Sequence, residues 1–390
     1  MEECRTVFAQ IMDFVPRYEF DKCVRRYNGN RRVKSFTCYD QFLTMAFAQL
    51  SGRESLREIV SCLSAVRNKL YHSGFSGEVS RSTLADANEN RDWRIYQDFG
   101  YHLIKIAQAS CRDEALKVRL KSTVYALDST TIDLCMELFP WAKFRSTKSA
   151  VKMHTLLDLR GNIPSFIGIS NGRDHDVKFL DELPKEAGSF YIMDRAYNDF
   201  ERLFEFEKER SYFVIRSKKN LSFSWKRSRP VDKMKAIKSD QEIVLKSELS
   251  RSKYPNRLRR ISFYDEEQNR KLVFLTNNFT LAPVTIANLY KSRWQVELFF
   301  KWIKQHLKIK KFYGTSENAV KIQIWISISC YLLVAIARQR LGVTDRSLFE
   351  ILQIVDILIF EKTPILEALS PSEKEKKNDV IGNQLLLFDS

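Results

Sequence analysis

The chain has 390 residues, and its 64 Lys and Arg against 48 Asp and Glu give a formal net charge of +16 and a pI near 9.4. That is room for two or three domains and a balance suited to a polyanionic partner such as nucleic acid. Seven cysteines without any CxxC pair argue against a disulfide framework and a zinc site, and with no signal peptide ahead of MEECRT the chain reads as a cytoplasmic protein with no membrane partner.

Residues 1–118 read as a helical domain. Tyr39–Gly52 ends on a glycine suited to a C-cap, Ser55–Val66 follows a short turn, and Ser80–Trp93 opens on capping Ser and Thr and carries Arg81, Asn88 and Arg91. Helix, turn, helix and a polar third helix suit a DNA-binding module of helix-turn-helix type. A helical packing or dimerisation domain would show the same pattern.

Residues 119–215 alternate strand and helix patterns. TVYALD (Thr123–Asp128) reads as a buried strand, and KMHTLLDL (Lys152–Leu159) and IPSFIGIS (Ile163–Ser170) are joined by Arg160-Gly161-Asn162 as in a hairpin. A helical piece, Val177–Leu183, leads to the strand SFYIMD (Ser189–Asp194), and Asn198–Arg210 is the next helix. Three antiparallel strands, a helix and a further strand is the order of an RNase H-like α/β core. Asp128 and Asp194 each close an apolar strand, a place where an Asp is often only an N-cap. Asp133 is expected to face away from Asp128, and His154, Asp174, His175 and Asp176 form a rival metal set that a polar turn and cap explains as well.

Residues 216–267 read as a basic, β-rich insertion. From Arg216 to Arg260 there are fifteen Lys and Arg against four Asp and Glu, a net of +11. Strand-like apolar pieces interleave with the charge. Lys226, Arg227 and Arg229 are candidate phosphate contacts, and Trp225 beside them is a candidate stacking residue or simply packing.

Residues 268–345 hold the second part of the core. YKSRWQVELFFKWIK (Tyr290–Lys304) places Tyr290, Arg293, Glu297 and Lys304 on one narrow stripe at about 100° per residue. Lys301 and Lys308 fall on the same stripe, and Val296, Leu298, Phe299, Trp302 and Ile303 lie opposite. The run Ile322–Ala337 is too short and too polar to span a bilayer and reads as a buried helix. Residues 346–390 form a C-terminal region, within which Ser370–Asp379 is a charged tail.

Tyr-(2)-Arg-(3)-Glu-(6)-Lys resembles, without a change of spacing, the YREK signature of one group of bacterial insertion-sequence transposases, the IS-four type. The Asp-Ser-Thr context of Asp128, the Asp-Arg-x-Tyr context of Asp194 with Arg195, and the run Ser-Arg-Ser-Thr-Leu-Ala-Asp-Ala-Asn from Ser80 are similar to the same family. The resemblance implies a DDE triad of Asp128, Asp194 and Glu297 holding two Mg²⁺ or Mn²⁺ ions. Carboxylates suit these hard cations, which serve in-line displacement at phosphorus. The stripe of Tyr290, Arg293, Lys301, Lys304 and Lys308, with Arg195, would hold phosphates. The implied function is binding of the element's terminal inverted repeats, cleavage at its ends and joining to target DNA, by cut-and-paste through a hairpin. Double-stranded DNA is the partner and a homodimer pairs two ends. Two other readings remain: a domesticated or inactive copy that binds DNA and regulates, and a stand-alone RNase H-like nuclease acting on branched DNA.

Overall fold

The computed structural model describes residues 5–111, 120, 122–145, 148–231, 236–306 and 312–370. It divides into two compact units, one of Met1–Ser110 with Trp302–Ser390 and one of Cys111–Lys301. The division cuts the segment expected as the second part of the core, 268–345, so the residues from Trp302 onward group with the N-terminal helices. The reason is burial. The long apolar helix near the C-terminus finds its partners among those helices.

The N-terminal part supplies α1 (Val7–Met12), α2 (Arg17–Arg26), α3 (Cys38–Leu50), α4 (Leu56–Ala65), α5 (Arg67–Leu70), α6 (Arg81–Asn90) and α7 (Arg94–Ser110). Thr37 caps α3 reciprocally with Asp40, and Ser80 caps α6 by accepting from the Thr83 amide. Of the three polar residues expected on the third helix, only Arg81 faces solvent. Asn88 is buried and accepts from Gln41, while Arg91 donates to the Thr37 carbonyl and to Gln41. The latter two hold the helices together.

The second unit is built on one sheet. Its strands are β1 (Val124–Leu134), β2 (Lys143–Arg145), β3 (Lys148–Asp158), β4 (Ile163–Asn171), β5 (Phe190–Met193), β6 (Tyr212–Arg216), β7 (Phe223–Ser228), β8 (Ile237–Leu245), β9 (Leu258–Asp265) and β10 (Arg270–Thr276). β4, β3, β1, β5 and β6 lie side by side, the first three antiparallel and β1, β5 and β6 parallel. That order fits an RNase H-like core. Gly161 and Asn162 both take positive φ in the β3–β4 turn, which suits Gly and Asn. The sheet then continues antiparallel through β10, β9, β8 and β7, so the basic segment is strand-rich and extends the same sheet, with β7 on its edge.

α8 (Phe200–Lys208) and a 3₁₀ turn, Asp176–Asp181, cover one face, where Leu127, Leu156, Met193, Phe179, Leu203 and Phe206 form the core. The piece expected as a helix at Val177–Leu183 is that shorter 3₁₀ turn. α9 (Glu248–Lys253) joins β8 to β9, and α10 (Pro283–Ser292) and α11 (Trp294–His306) follow β10. α12 (Glu317–Arg340), α13 (Leu348–Leu358) and α14 (Ile365–Leu369) complete the first unit.

α12 explains why that unit holds together. Every residue from Ala319 to Ala337 except Lys321 is buried, and α7 packs along it closely enough that a Cβ added at Gly100 would sit 2.8 Å from Trp325 Cε3. Ser327 Oγ shares its proton between the Gln323 carbonyl at 2.7 Å and Gln49 Oε1 at 2.8 Å, whereas the buried Trp325 Nε1 has no partner among the described residues. Length and composition alone would let α12 cross a membrane, yet 94% of its apolar window is buried within the protein. The charged tail expected after Ser370 lies outside the described residues.

Candidate active site

Strand register brings the two aspartates together. β1 and β5 are parallel neighbours with Leu127 paired to Met193, so Asp128 and Asp194 each follow one half of the last paired couple. Leu127 and Met193 enter the core on one face, and alternation turns Asp128 and Asp194 to the other. One expectation needs correction. Asp128 does not close its strand: β1 runs on to Leu134, held by β3 in antiparallel register, so Ser129, Thr130 and Thr131 are strand residues as well. Only β5 stops there, and Asp194 caps the following 3₁₀ turn by accepting 3.2 Å from the Ala196 amide. Asp133 is exposed.

Arg293 stands at the break between α10 and α11 and ties Glu297 to this pair. Its Nη1 donates 2.6 Å to Asp128 Oδ2 and its Nη2 donates 2.5 Å to Glu297 Oε1. Burial, opposed by the Arg293 charge and helped by the charges of Glu297 and Asp194, holds the Asp128 carboxyl above its usual pKa. Glu297 and Asp194 therefore each lie within electrostatic range of Asp128. Among the described residues, however, no three carboxylate, imidazole or thiolate side chains close into a metal cage as they stand. The donor chemistry fits a hard divalent cation, and a guanidinium lies between two of the donors.

The stripe on this helix is not a uniformly solvated cationic face. Tyr290 is 7% exposed and its ring packs 4.7 Å from that of Phe274, while Arg293 is engaged with carboxylates. The geometry that hides Tyr290 is the break at Arg293, where Arg293 N donates to Tyr290 O and Val296 N to Arg293 O, three residues apart rather than four. Glu297, Lys301 and Arg195 are exposed, and Lys304 is half-buried. Leu298, expected on the apolar back, is 40% exposed. Lys308 lies outside the described residues.

The rival metal set is on the other face. His154 lies opposite Ser129 across β1 and β3 and stacks on Phe179. Its Nε2 pairs with Ser170 Oγ at 2.9 Å, and burial lowers its pKa to about 4, so it is neutral. Asp176 accepts from Ser129 Oγ at 2.9 Å and from Lys152 Nζ at 3.1 Å. An ammonium holds that carboxylate, and His175 points to solvent. Sequence reasoning passed over Lys152, whose only signal was its alternation with His154 on β3.

Residues 119–333, more than half of the chain, match the family described as the transposase DDE domain. The chain belongs to the DDE transposases. Residues 3–76 match a domain of unknown function, DUF4372. A putative transposase, y4zB, of Sinorhizobium fredii is 31% identical over 72% of this chain and 78% of its own length. A probable transposase for insertion sequence element IS5377 of Geobacillus stearothermophilus is 29% identical over 61% of this chain and 63% of its own. A solved piggyBac transposase synaptic complex with hairpin DNA covers 96% of this chain and 82% of that one at 9% identity, with a TM-score of 0.46, too slight a likeness to set the fold. The protein is thus a DDE-type DNA transposase.

In the transposase the basic run from Arg216 to Arg260 is mixed in purpose. Trp225 on β7 is 57% exposed and donates to Ser228 Oγ, and Lys226 and Arg227 beside it are exposed. Arg229 is half-buried, with Nη1 donating 2.7 Å to the Phe279 carbonyl. Arg259 is buried against Asp240, Arg260 lies over the Phe223 ring, and Arg257 pairs with Glu242. A count of charges cannot separate these uses.

Proposed function

We propose that this transposase binds the terminal inverted repeats of an insertion sequence, cuts at the element's ends and joins the freed 3′-OH to target DNA at the site of Asp128, Asp194 and Glu297. The observation that supports the site best is the β1–β5 register, which sets two aspartates side by side on the face that Arg293 connects to Glu297. Two Mg²⁺ or Mn²⁺ ions, when bound, would activate the attacking water or 3′-OH and steady the leaving oxygen. The three carboxylates supply the hard oxygen donors for them. Arg195 and Lys301, both exposed, would meet backbone phosphates near the cut, with Lys304 further along α11.

Trp225, Lys226 and Arg227 on the sheet's edge strand would hold end DNA as a basic insertion, with Arg229 contributing more to the fold than to DNA. The N-terminal helices α1 to α7 would serve as a second DNA-binding element through the exposed α6 surface around Arg81. Pairing of two ends by a homodimer, hairpin-mediated excision and a cytoplasmic setting complete the reading.

The test is cleavage of a duplex carrying the element's end. Asp128→Asn, Asp194→Asn and Glu297→Gln are each expected to lose on the order of 10³-fold or more in cleavage rate while still binding the duplex, because each removes a negative charge that would hold metal and leaves every phosphate-binding cation in place. A variant that cleaves at the wild-type rate removes its residue from the triad. Wild-type protein that binds ends but cleaves in neither Mg²⁺ nor Mn²⁺ would favour the regulatory copy.

A further inference from the structure

Carboxylates gathered without a cation repel one another, and here the repulsion is already answered from within the chain. Arg293 gives one terminal nitrogen to Asp128 on β1 and the other to Glu297 on α11, at 2.6 and 2.5 Å. The two acids are far apart in sequence and come from a strand and a helix, so the guanidinium is what joins them. Its anchorage is incomplete, because the buried Nε has no hydrogen-bond partner among the described residues. Glu297 is 57% exposed, so one arm of the fork is open to water.

We propose that Arg293 is an internal cation that occupies the metal position of the DNA-free transposase, competes with the divalent ion for Asp128 and Glu297, and leaves for a backbone phosphate when DNA binds. The inference rests on the triad reading above. Guanidinium matches phosphate as well as carboxylate, in the same two-pronged geometry. DNA therefore draws the competitor out of the site, and metal and DNA favour each other's binding by linkage. The device would keep the free protein from loading metal away from its substrate.

The experiment measures Mn²⁺ binding to the full-length, DNA-free protein by the electron paramagnetic resonance of the free ion. Arg293→Ala is expected to bind Mn²⁺ about tenfold more tightly than wild type, and Arg293→Lys, which cannot span both carboxylates, to fall between. Methylguanidinium should weaken Mn²⁺ binding to Arg293→Ala and leave wild type unaffected. A short DNA duplex should tighten Mn²⁺ binding to wild type more than to Arg293→Ala. Equal or weaker binding by Arg293→Ala overturns the proposal, because a residue that merely positions Glu297 would lower affinity when removed. Asp128→Asn and Glu297→Gln separate the two readings: if they bind Mn²⁺ as wild type does, the triad assignment itself fails. Should Arg293→Ala not fold, as judged by circular dichroism, the Lys variant carries the same comparison.

Discussion

Arg259 and Arg293, both in the sheet-containing unit, each meet carboxylates, and they are held in different ways. Arg259 on β9 grips Asp240 on neighbouring β8 through Nε at 2.9 Å and Nη2 at 2.6 Å, and gives Nη1 to the carbonyls of Asn278 and Leu281. Both side chains are 2% exposed. Arg293 divides its fork between two acids from different elements, leaves Nε without a partner among the described residues, and is 14% exposed. The lesson is that a buried ion pair with its hydrogen bonds filled belongs to the fold, where water and ions cannot reach it. A half-filled pair at an open carboxylate can exchange one cation for another.

The largest expected effect tests the first half of that contrast. Arg259→Met should cost about 3–5 kcal/mol of stability, because Asp240 is left charged and buried. Adding Asp240→Leu should recover most of the loss, since an apolar pair of similar volume is close to neutral. Urea unfolding of the intact protein reads both. A single variant as stable as wild type would mean that Asp240 finds another partner or water.

Arg293→Ala sharpens the other half. In EDTA it should cost about 1 kcal/mol, as for an ion pair with an exposed partner. Added Mn²⁺ should restore that loss and raise the melting temperature more than it does for wild type. A loss as large as that of Arg259→Met, indifferent to metal, would make the two arginines alike.

The smallest effect on stability belongs to the exposed cations of the edge strand. Lys226→Ala with Arg227→Ala should leave unfolding unchanged and lower the salt slope of end-DNA binding by about 0.9 for each phosphate no longer neutralised. An unchanged slope would make β7 a solvated edge. Its charges would then serve only to keep other strands from pairing there.

The sequence carried the strands that bear the carboxylates, because the apolar runs before Asp128 and Asp194 and the hairpin turn at Gly161 and Asn162 are local signals. It also carried the spacing of Arg293 and Glu297, and so the family. It did not carry the continuation of β1 past Asp128, since the apolar run stops there and only pairing with β3 extends the strand through Ser129, Thr130 and Thr131. Nor did it tell Arg229 and Arg259 from Lys226 and Arg227. Charge is counted along the chain, whereas burial depends on which strand lies alongside.

Composition and periodicity by themselves determined a cationic chain, a helical part and an α/β part, while the three acids were an expectation carried by the family resemblance. The tertiary structure alone decided that α12 groups with the N-terminal helices, that Asn88 and Arg91 pack rather than reach outward, and that Arg293 turns to Asp128. Each of these depends on partners remote in sequence. The free energy of burying or pairing a side chain is set by what surrounds it in space.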